Sequence, residues 1–322
     1  MKKYILLIAA ISFLSFQACT KSGEENGGKE PEEETGDVTE YTEIADPEDI
    51  DENSKVPAEE LAGTIRIMTF NINNQTGKYS DPFLTVWGRR RDPVVRMLKD
   101  KMPDVCFFQE IQGTMVNYIY DCMKENYWLI SYDQKAGGTY KMGFLVNKNK
   151  LEVVKNEPKW FSETPDVPYS NSWDCPDYIK MAVLATFKIK ATGKEFYAAG
   201  AHFFPSGTTG RTMCSTLMAQ WAQENAGTTM PAICCGDMNI QNDDAMLKPL
   251  YNVMDDAVDH AKHSDGRDAK TYNRFGTTPY KNLDHMFYRN ATPVTYRVVN
   301  DEKAYGLQYL SDHYAIYCDF NF

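Results

Sequence analysis

From Leu61 to Phe322 the chain is a succession of short apolar runs that end, again and again, on a carboxylate, an amide or an imidazole. Ile65-Arg66-Ile67-Met68-Thr69-Phe70 stops at Asn71, and Val105-Cys106-Phe107-Phe108 runs into Gln109-Glu110. Later runs stop at Ala201-His202 and at Gly236-Asp237-Met238-Asn239, and the last begins after Ser311-Asp312-His313. Runs this short, rich in Ile, Val, Phe and Tyr, suit buried strands. Polar residues repeated at strand ends can converge on one rim of a packed sheet. A single Asp or Asn in such a place is usually a turn former, but five such places together point to a shared site.

The apolar pattern predicts strands over 64–71, 105–109, 141–146, 181–189, 196–203, 232–235, 282–287 and 314–320. Between them, 83–101, 116–126 and 212–224 have the length and spacing of amphipathic helices. Strand-helix alternation followed by hairpin-like pairs predicts mixed sheets covered by helices. Neither a repeat nor a linker divides residues 61–322, so one domain is expected there.

The N-terminal part reads differently. Lys2 and Lys3 precede an apolar run from Tyr4 to Phe16 and then Gln17-Ala18-Cys19, the layout of a secretory signal over residues 1–18. Ala18-Cys19 resembles a bacterial lipobox, which implies a lipid on Cys19 and membrane contact through that anchor. From Thr20 to Glu60 there are 16 acidic and 3 basic residues and almost no periodic apolar positions, so 19–60 is expected to be a lipidated, acidic, disordered tether. The expected location is the outer membrane or cell surface, otherwise the periplasm or the medium. Nothing asks for a second subunit, and a monomer is expected.

Removing these segments from the total of −11 leaves residues 61–322 without net charge. A protein that holds long polyanions non-specifically usually shows a basic excess, because phosphate neutralisation supplies most of its affinity; none is visible here. Seven cysteines follow Cys19 without CxxC spacing, which argues against a disulfide framework or a zinc site. Most sit in apolar runs and read as small core residues.

Carboxylates and amides to hold a hard cation and place a water, with imidazoles for proton traffic, form the set needed for metal-assisted attack of water on phosphorus. Six strings carry a resemblance: Thr69-Phe70-Asn71, Pro103-Asp104-Val105 with Gln109-Glu110, Ala201-His202-Phe203, Gly236-Asp237-Met238-Asn239, Leu283-Asp284-His285-Met286-Phe287 and Ser311-Asp312-His313. In this order they resemble the endonuclease/exonuclease/phosphatase superfamily, the deoxyribonuclease I-like fold. The resemblance implies an α+β, four-layer α/β/β/α sandwich of two packed mixed sheets flanked by helices. It implies Mg²⁺, with Mn²⁺ or Ca²⁺ as alternatives, bound by Glu110 with Asn71 and Asp312 in or near its shell. It further implies that Asp237 and Asn239 orient and activate the water and that His313 holds or protonates the phosphoryl oxygen. His202 would be a second imidazole, serving the phosphate or the leaving group, and Asp284 would orient a histidine.

Three departures bear on substrate. Where one branch carries a Glu after Tyr-Lys, this chain has Tyr140-Lys141-Met142; Lys180 stands where many relatives place a phosphate-binding Arg; and Ala201-His202-Phe203-Phe204 replaces a commoner Thr-His-Leu. Lys180 keeps the charge without the bidentate fork. The stretch Trp160 to Pro165 with Ser172-Trp173-Asp174 is either a wall of the substrate groove or loop packing. Arg89-Arg90-Arg91 is expected on a solvated helix face, and His260 and His263 on a solvated acidic helix end. His285 is expected to face away from the site. The substrate classes left open are nucleic acid, a sugar or inositol phosphate, and a phospholipid head group. The rival reading is a surface binding lipoprotein that has lost activity.

Overall fold

The computed structural model describes residues 56–76, 86–277 and 280–322. The expected signal segment, Cys19 and nearly all of the expected tether lie outside the described residues, as does the expected helix start at Phe83. In chain order the helices are Ala58–Leu61 (α1), Trp87–Lys101 (α2), Gly113–Met123 (α3), Thr208–Ala226 (α4), Lys248–Tyr251 (α5) and Ala257–His260 (α6). The strands are Ile65–Asn71 (β1), Val105–Gln112 (β2), Tyr127–Asp133 (β3), Tyr140–Asn147 (β4), Leu151–Trp160 (β5), Met181–Ile189 (β6) and Glu195–His202 (β7). They continue with Ala232–Asp237 (β8), Asp255–Asp256 (β9), His263–Ser264 (β10), Asp284–Arg289 (β11), Thr292–Val298 (β12) and Ile316–Asn321 (β13).

Two mixed sheets result, ordered β10-β12-β13-β1-β2-β4-β3 and β5-β6-β7-β8-β11-β9. Period-two alternation sends each central strand's side chains to two different interiors. In β8, Ile233 and Cys235 point into the layer between the sheets, while Ala232 and Cys234 pack with Cys214, Met218 and Ala222 of α4. In β1, Ile65 and Ile67 face the other sheet, whereas Met68 and Phe70 pack under Val94, Met97 and Leu98 of α2 and Ile119 of α3. Three apolar layers therefore separate four layers of structure, which is the expected α/β/β/α sandwich. Six of the seven described cysteines are buried and all seven are free, as their apolar neighbours suggested.

The sheets meet closely at Gly200, where a Cβ would lie 2.2 Å from Phe107 Cδ1. Only the absence of a side chain lets β7 lie over that ring. Strands β3 and β5, which the apolar pattern passes over, each lie at one edge of a sheet; the two-residue strands β10 and β9 at the opposite edges and the inner strand β12 are passed over too. An edge strand half in water needs no apolar run, and β5 carries Lys155, Glu157, Pro158 and Lys159.

Candidate active site

Strand register brings the polar ends together. Parallel pairing of β7 with β8 sets His202 beside Asp237, and antiparallel pairing of β8 with β11 sets Asp284 on the other side of the same residue. Parallel pairing of β1 with β2 sets Asn71 opposite Gln109. The pairing of β2 with β4 then slips between Phe108 and Ile111, and Glu110 in that bulge has a left-handed backbone, φ 59°. A bulge beside a site re-aims a side chain that regular pleating would place elsewhere, and its strain is offset by the surrounding structure. Gly236, φ 142°, clears the way for Asp237: a Cβ there would lie 2.0 Å from Ala201 O.

Asp237 is the hub, and it is buried. Its Oδ2 accepts from Asn71 Nδ2 at 2.9 Å and stands 3.5 Å from His202 Nε2 and 3.7 Å from His313 Nε2. Its Oδ1 accepts from the Asn239 amide at 2.9 Å. Asn239, also left-handed at φ 52°, donates its Nδ2 to Phe203 O at 3.2 Å. Asp284 orients His313: Oδ2 lies 2.8 Å from Nδ1, while Thr271 Oγ1 accepts from the Leu283 and Asp284 amides at 3.0 and 3.1 Å. Ser311 Oγ donates to Asn71 O at 2.7 Å, joining the loop before β13 to the end of β1. Lys180 Nζ meets His202 Nε2 at 2.6 Å.

These surroundings separate the protonation states of the buried groups. Burial raises the Asp237 carboxyl, His313 opposes that rise, and the result is about 6, poised to be an anion near neutrality. Burial works against a charged His313, but Asp284 and Asp237 outweigh it and lift the imidazole to about 10. His202 goes the other way: burial, then Lys180 and His313, hold it well below the usual range, so it is neutral. A poised base beside a fixed imidazolium suits general base catalysis with charge stabilisation.

The groups open into a cleft of about 740 Å³ that Glu110, Lys180, His202, Asp237, Asn239, Asp312 and His313 all line. Asn71 and Asp284 stand behind its surface as supports for Asp237 and His313. Two donor sets could hold a cation. Asp237, Asp284 and His313 offer ligand atoms within 4.8 Å of one another, but Asp284 and His313 spend theirs on each other. Glu110 fits a hard cation better: among the described residues its two oxygens meet the amide nitrogens of Asn71 and Asn74, at 3.5 and 3.4 Å, and it shares the cleft with Asp312.

Some expectations change and others hold. Arg90 is not on a solvated face; it is completely buried, because it falls on the same side of α2 as Trp87, Val94 and Leu98. The aromatics Trp160 and Phe161 are buried, and Trp173 packs on Phe204, so they are packing residues; the cleft is walled by Asn171 and the stretch Pro176 to Lys180 together with Gln134, Lys135 and Tyr140. Met142 lies in the layer between the sheets, so β4 supplies no carboxylate and Asp284 alone holds His313. His285 bonds Ile240 O away from the cleft, His263 pairs with Glu60, and His260 is exposed. Asn74, Tyr272 and Lys281 were missed. Tyr272 packs 4.8 Å from the His313 ring, and Asn74 follows β1 in the run Asn71-Ile72-Asn73-Asn74, whose density of amides was the available signal.

A profile of the Endonuclease/Exonuclease/phosphatase family matches residues 68–313, a span that contains every one of these groups from Asn71 to His313. The chain belongs to that family. It is a phosphoester hydrolase, and the family's enzymes depend on a divalent cation. Among solved structures, an endonuclease/exonuclease/phosphatase from Bacteroides vulgatus is 25% identical, with a TM-score of 0.70 over 80% of this chain and 98% of that one. A mannosyl-6-phosphatase of Bacteroides thetaiotaomicron has a TM-score of 0.69 at 21% identity, covering 80% of this chain and all, 100%, of the other. Zebrafish (D. rerio) TDP2, solved with a single-strand DNA product, has a TM-score of 0.61 at 18% identity, covering 81% and 100%. The last two share the fold. An uncharacterised protein of Acanthamoeba polyphaga mimivirus is 33% identical over 127 residues; the match takes in 36% of this chain and spans 46% of that protein's length.

Proposed function

We propose that the protein is an exported, Mg²⁺-dependent hydrolase of compact phosphate esters, a sugar phosphate, an inositol phosphate or a phospholipid head group, held at the membrane by a lipid on Cys19. The observation that carries the chemistry is the convergence on Asp237 of Asn71, His202 and His313, with His313 fixed by Asp284. In this reading Asp237, fixed by the Asn239 amide, orients and activates the attacking water. The water oxygen bonds to phosphorus as the bond to the leaving oxygen breaks, and the water's proton passes to Asp237 Oδ2. His313 carries the charge that grows on the phosphoryl oxygens. Lys180 binds the phosphate and feeds a proton to His202, which serves the leaving oxygen. Glu110 and Asp312, with Asn71 behind them, would hold Mg²⁺, which supplies Lewis-acid stabilisation of the phosphoryl group when bound.

Two features favour a compact substrate over a long nucleic acid. Residues 61–322 carry no net charge. The one basic run is not a stripe either, since Arg90 is buried and Arg91 lies 4.9 Å from the Tyr118 ring. Export rests on the N-terminal sequence; the tether ends short of the expected residue 60, because α1 begins at Ala58 and Glu60 pairs with Lys262 and His263, and a monomeric catalytic domain follows. The test is the purified protein with and without Mg²⁺ on bis(p-nitrophenyl) phosphate, mannose and inositol phosphates, phosphatidylcholine vesicles, plasmid DNA and RNA. Metal-dependent turnover of small esters well above that of DNA is expected. Turnover of DNA alone overturns the substrate class, and no turnover on any of them overturns the enzyme reading in favour of a binding lipoprotein.

A further inference from the structure

The bulkiest fully buried side chain among the described residues is a cation, Arg90. It projects from α2 beneath the Trp87 ring, 5.6 Å from its centroid. Nη1 donates to Ile72 O at 2.6 Å and to Leu310 O at 2.9 Å, and Nη2 donates to Asn74 O at 2.7 Å. Burying a guanidinium is expensive, and a packed apolar side chain would hold a helix on a sheet at less cost. The location of these carbonyls gives the charge a use.

The segments it joins lie at opposite ends of the domain's sequence. Ile72 and Asn74 follow Asn71 at the end of β1, and Leu310 precedes Ser311 and Asp312. Each is tied to the cation-holding groups: Ile72 N bonds Gln109 O at 3.1 Å, Asn74 Nδ2 meets Glu110 Oε2 at 3.4 Å, and Ser311 Oγ bonds Asn71 O at 2.7 Å. Asp312, Glu302 and Glu110 are the carboxylates whose fields bear on the guanidinium. A planar fork that grips both loops limits how far the Glu110 side can move from the Asp312 side. Mg²⁺ tolerates little such movement, because it demands near-octahedral geometry at short oxygen distances.

We propose that Arg90 is a positioning residue that sets the separation of Glu110 and Asp312, and through it the affinity of the site for its divalent cation. The proposal rests on the assignment of Glu110 and Asp312 as the cation-holding carboxylates. It concerns the fork and not the charge: a lysine at this position keeps the charge but cannot grip three carbonyls in one plane.

The measurement is Mn²⁺ and Mg²⁺ affinity of the substrate-free protein by calorimetry, beside melting temperature, for wild type, Arg90→Lys, Glu110→Gln and Leu98→Ala. Supporting partners of a metal site typically change affinity by about 10- to 100-fold, so Arg90→Lys is expected to weaken both ions by that much. At saturating Mn²⁺ its kcat is expected to return to within about threefold of wild type. Leu98→Ala opens the same helix interface about two turns further along α2 while leaving the guanidinium and its carbonyl partners intact; it is expected to lower the melting temperature and leave the affinity within about twofold. Wild-type affinity in Arg90→Lys beside weakened Glu110→Gln overturns the proposal alone, as does equal weakening by Leu98→Ala. Unchanged affinity in Glu110→Gln overturns the carboxylate assignment, and the proposal with it. If Arg90→Lys does not fold, the Arg90 Nε–H resonance of the wild type is followed during Mg²⁺ titration. A shift in step with the Asn73 and Ser311 amides supports the coupling, and an unmoved resonance overturns it.

Discussion

Replacing Asp284 by Asn removes one charge from behind the site while leaving every cleft-lining group in place. Asp284 Oδ2 and His313 Nδ1 are 2.8 Å apart and both residues are buried, so solvent screens little of their interaction. The imidazole is lifted from 6.5 to about 10 against its own burial, which amounts to roughly 5 kcal/mol of preference for the charged form. Asp284 leads the carboxylates responsible, ahead of Asp237 and Asp312. If it supplies about half, its loss costs about 2–3 kcal/mol of transition-state stabilisation, or roughly 30- to 150-fold in kcat. An amide can also donate to Nδ1 and favour the wrong tautomer, so the expected total is about 10²–10³-fold with KM nearly unchanged. Steady-state kinetics on bis(p-nitrophenyl) phosphate at saturating Mg²⁺ reads this directly. A kcat within threefold of wild type refutes the assignment of Asp284 to His313. Stability carries a second signature in metal-free protein. A raised imidazole pKa favours the fold fully below the unfolded value of 6.5, and that advantage is lost as pH rises through about 10. The melting-temperature gap between wild type and Asp284→Asn is therefore widest near pH 6 and closes by pH 10; a gap that widens with pH contradicts the pairing.

Gly200→Ala forces a methyl into the Phe107 ring between the sheets; overpacking of this kind costs about 1–3 kcal/mol, and a urea midpoint equal to wild type would show that the sheets separate freely there. His202 is held neutral by burial and by Lys180 and His313, so its imidazole ¹⁵N shifts are expected to remain those of a neutral ring from pH 5 to 8, and a titration near 6.5 would contradict the buried pairing with Lys180. The six buried thiols should be silent to a thiol reagent in native protein and react after denaturation, with Cys122 alone reacting early; rapid reaction of more than one of these seven would show that the core is open.

Much of the site was legible because the residues that carry chemistry sit where apolar runs stop, and a run that stops in a packed sheet stops at its rim. Register did the rest: Asp237 lies between His202 and Asp284 because β8 pairs with β7 on one side and β11 on the other. What periodicity could not show was geometry inside irregular backbone. The bulge that turns Glu110 depends on a slip between two strands distant in sequence, and which histidine Asp284 holds depends on where the loop before β13 lies. Arg90 was misread for a different reason. Three consecutive arginines look like a solvated face, yet the spacing from Trp87 to Arg90 to Val94 places the middle one on the apolar side, and only its carbonyl partners explain why a charge is there. Edge strands β3 and β5 escaped notice because they bury one face or less, so their sequences alternate weakly.

The central claim is that Asp237 takes the proton of the attacking water, and Asp237→Asn tests it most directly. The substitution keeps the size and an acceptor oxygen while removing the base. In Mg²⁺ at neutral pH the variant is expected to fold and bind the cation, with a lowered melting temperature because its amide turns a donor toward Asn71 Nδ2 or the Asn239 amide, while kcat on bis(p-nitrophenyl) phosphate falls by about 10²–10⁴-fold, the usual contribution of a positioned base. A folded, metal-binding Asp237→Asn protein with kcat within tenfold of wild type would contradict the account.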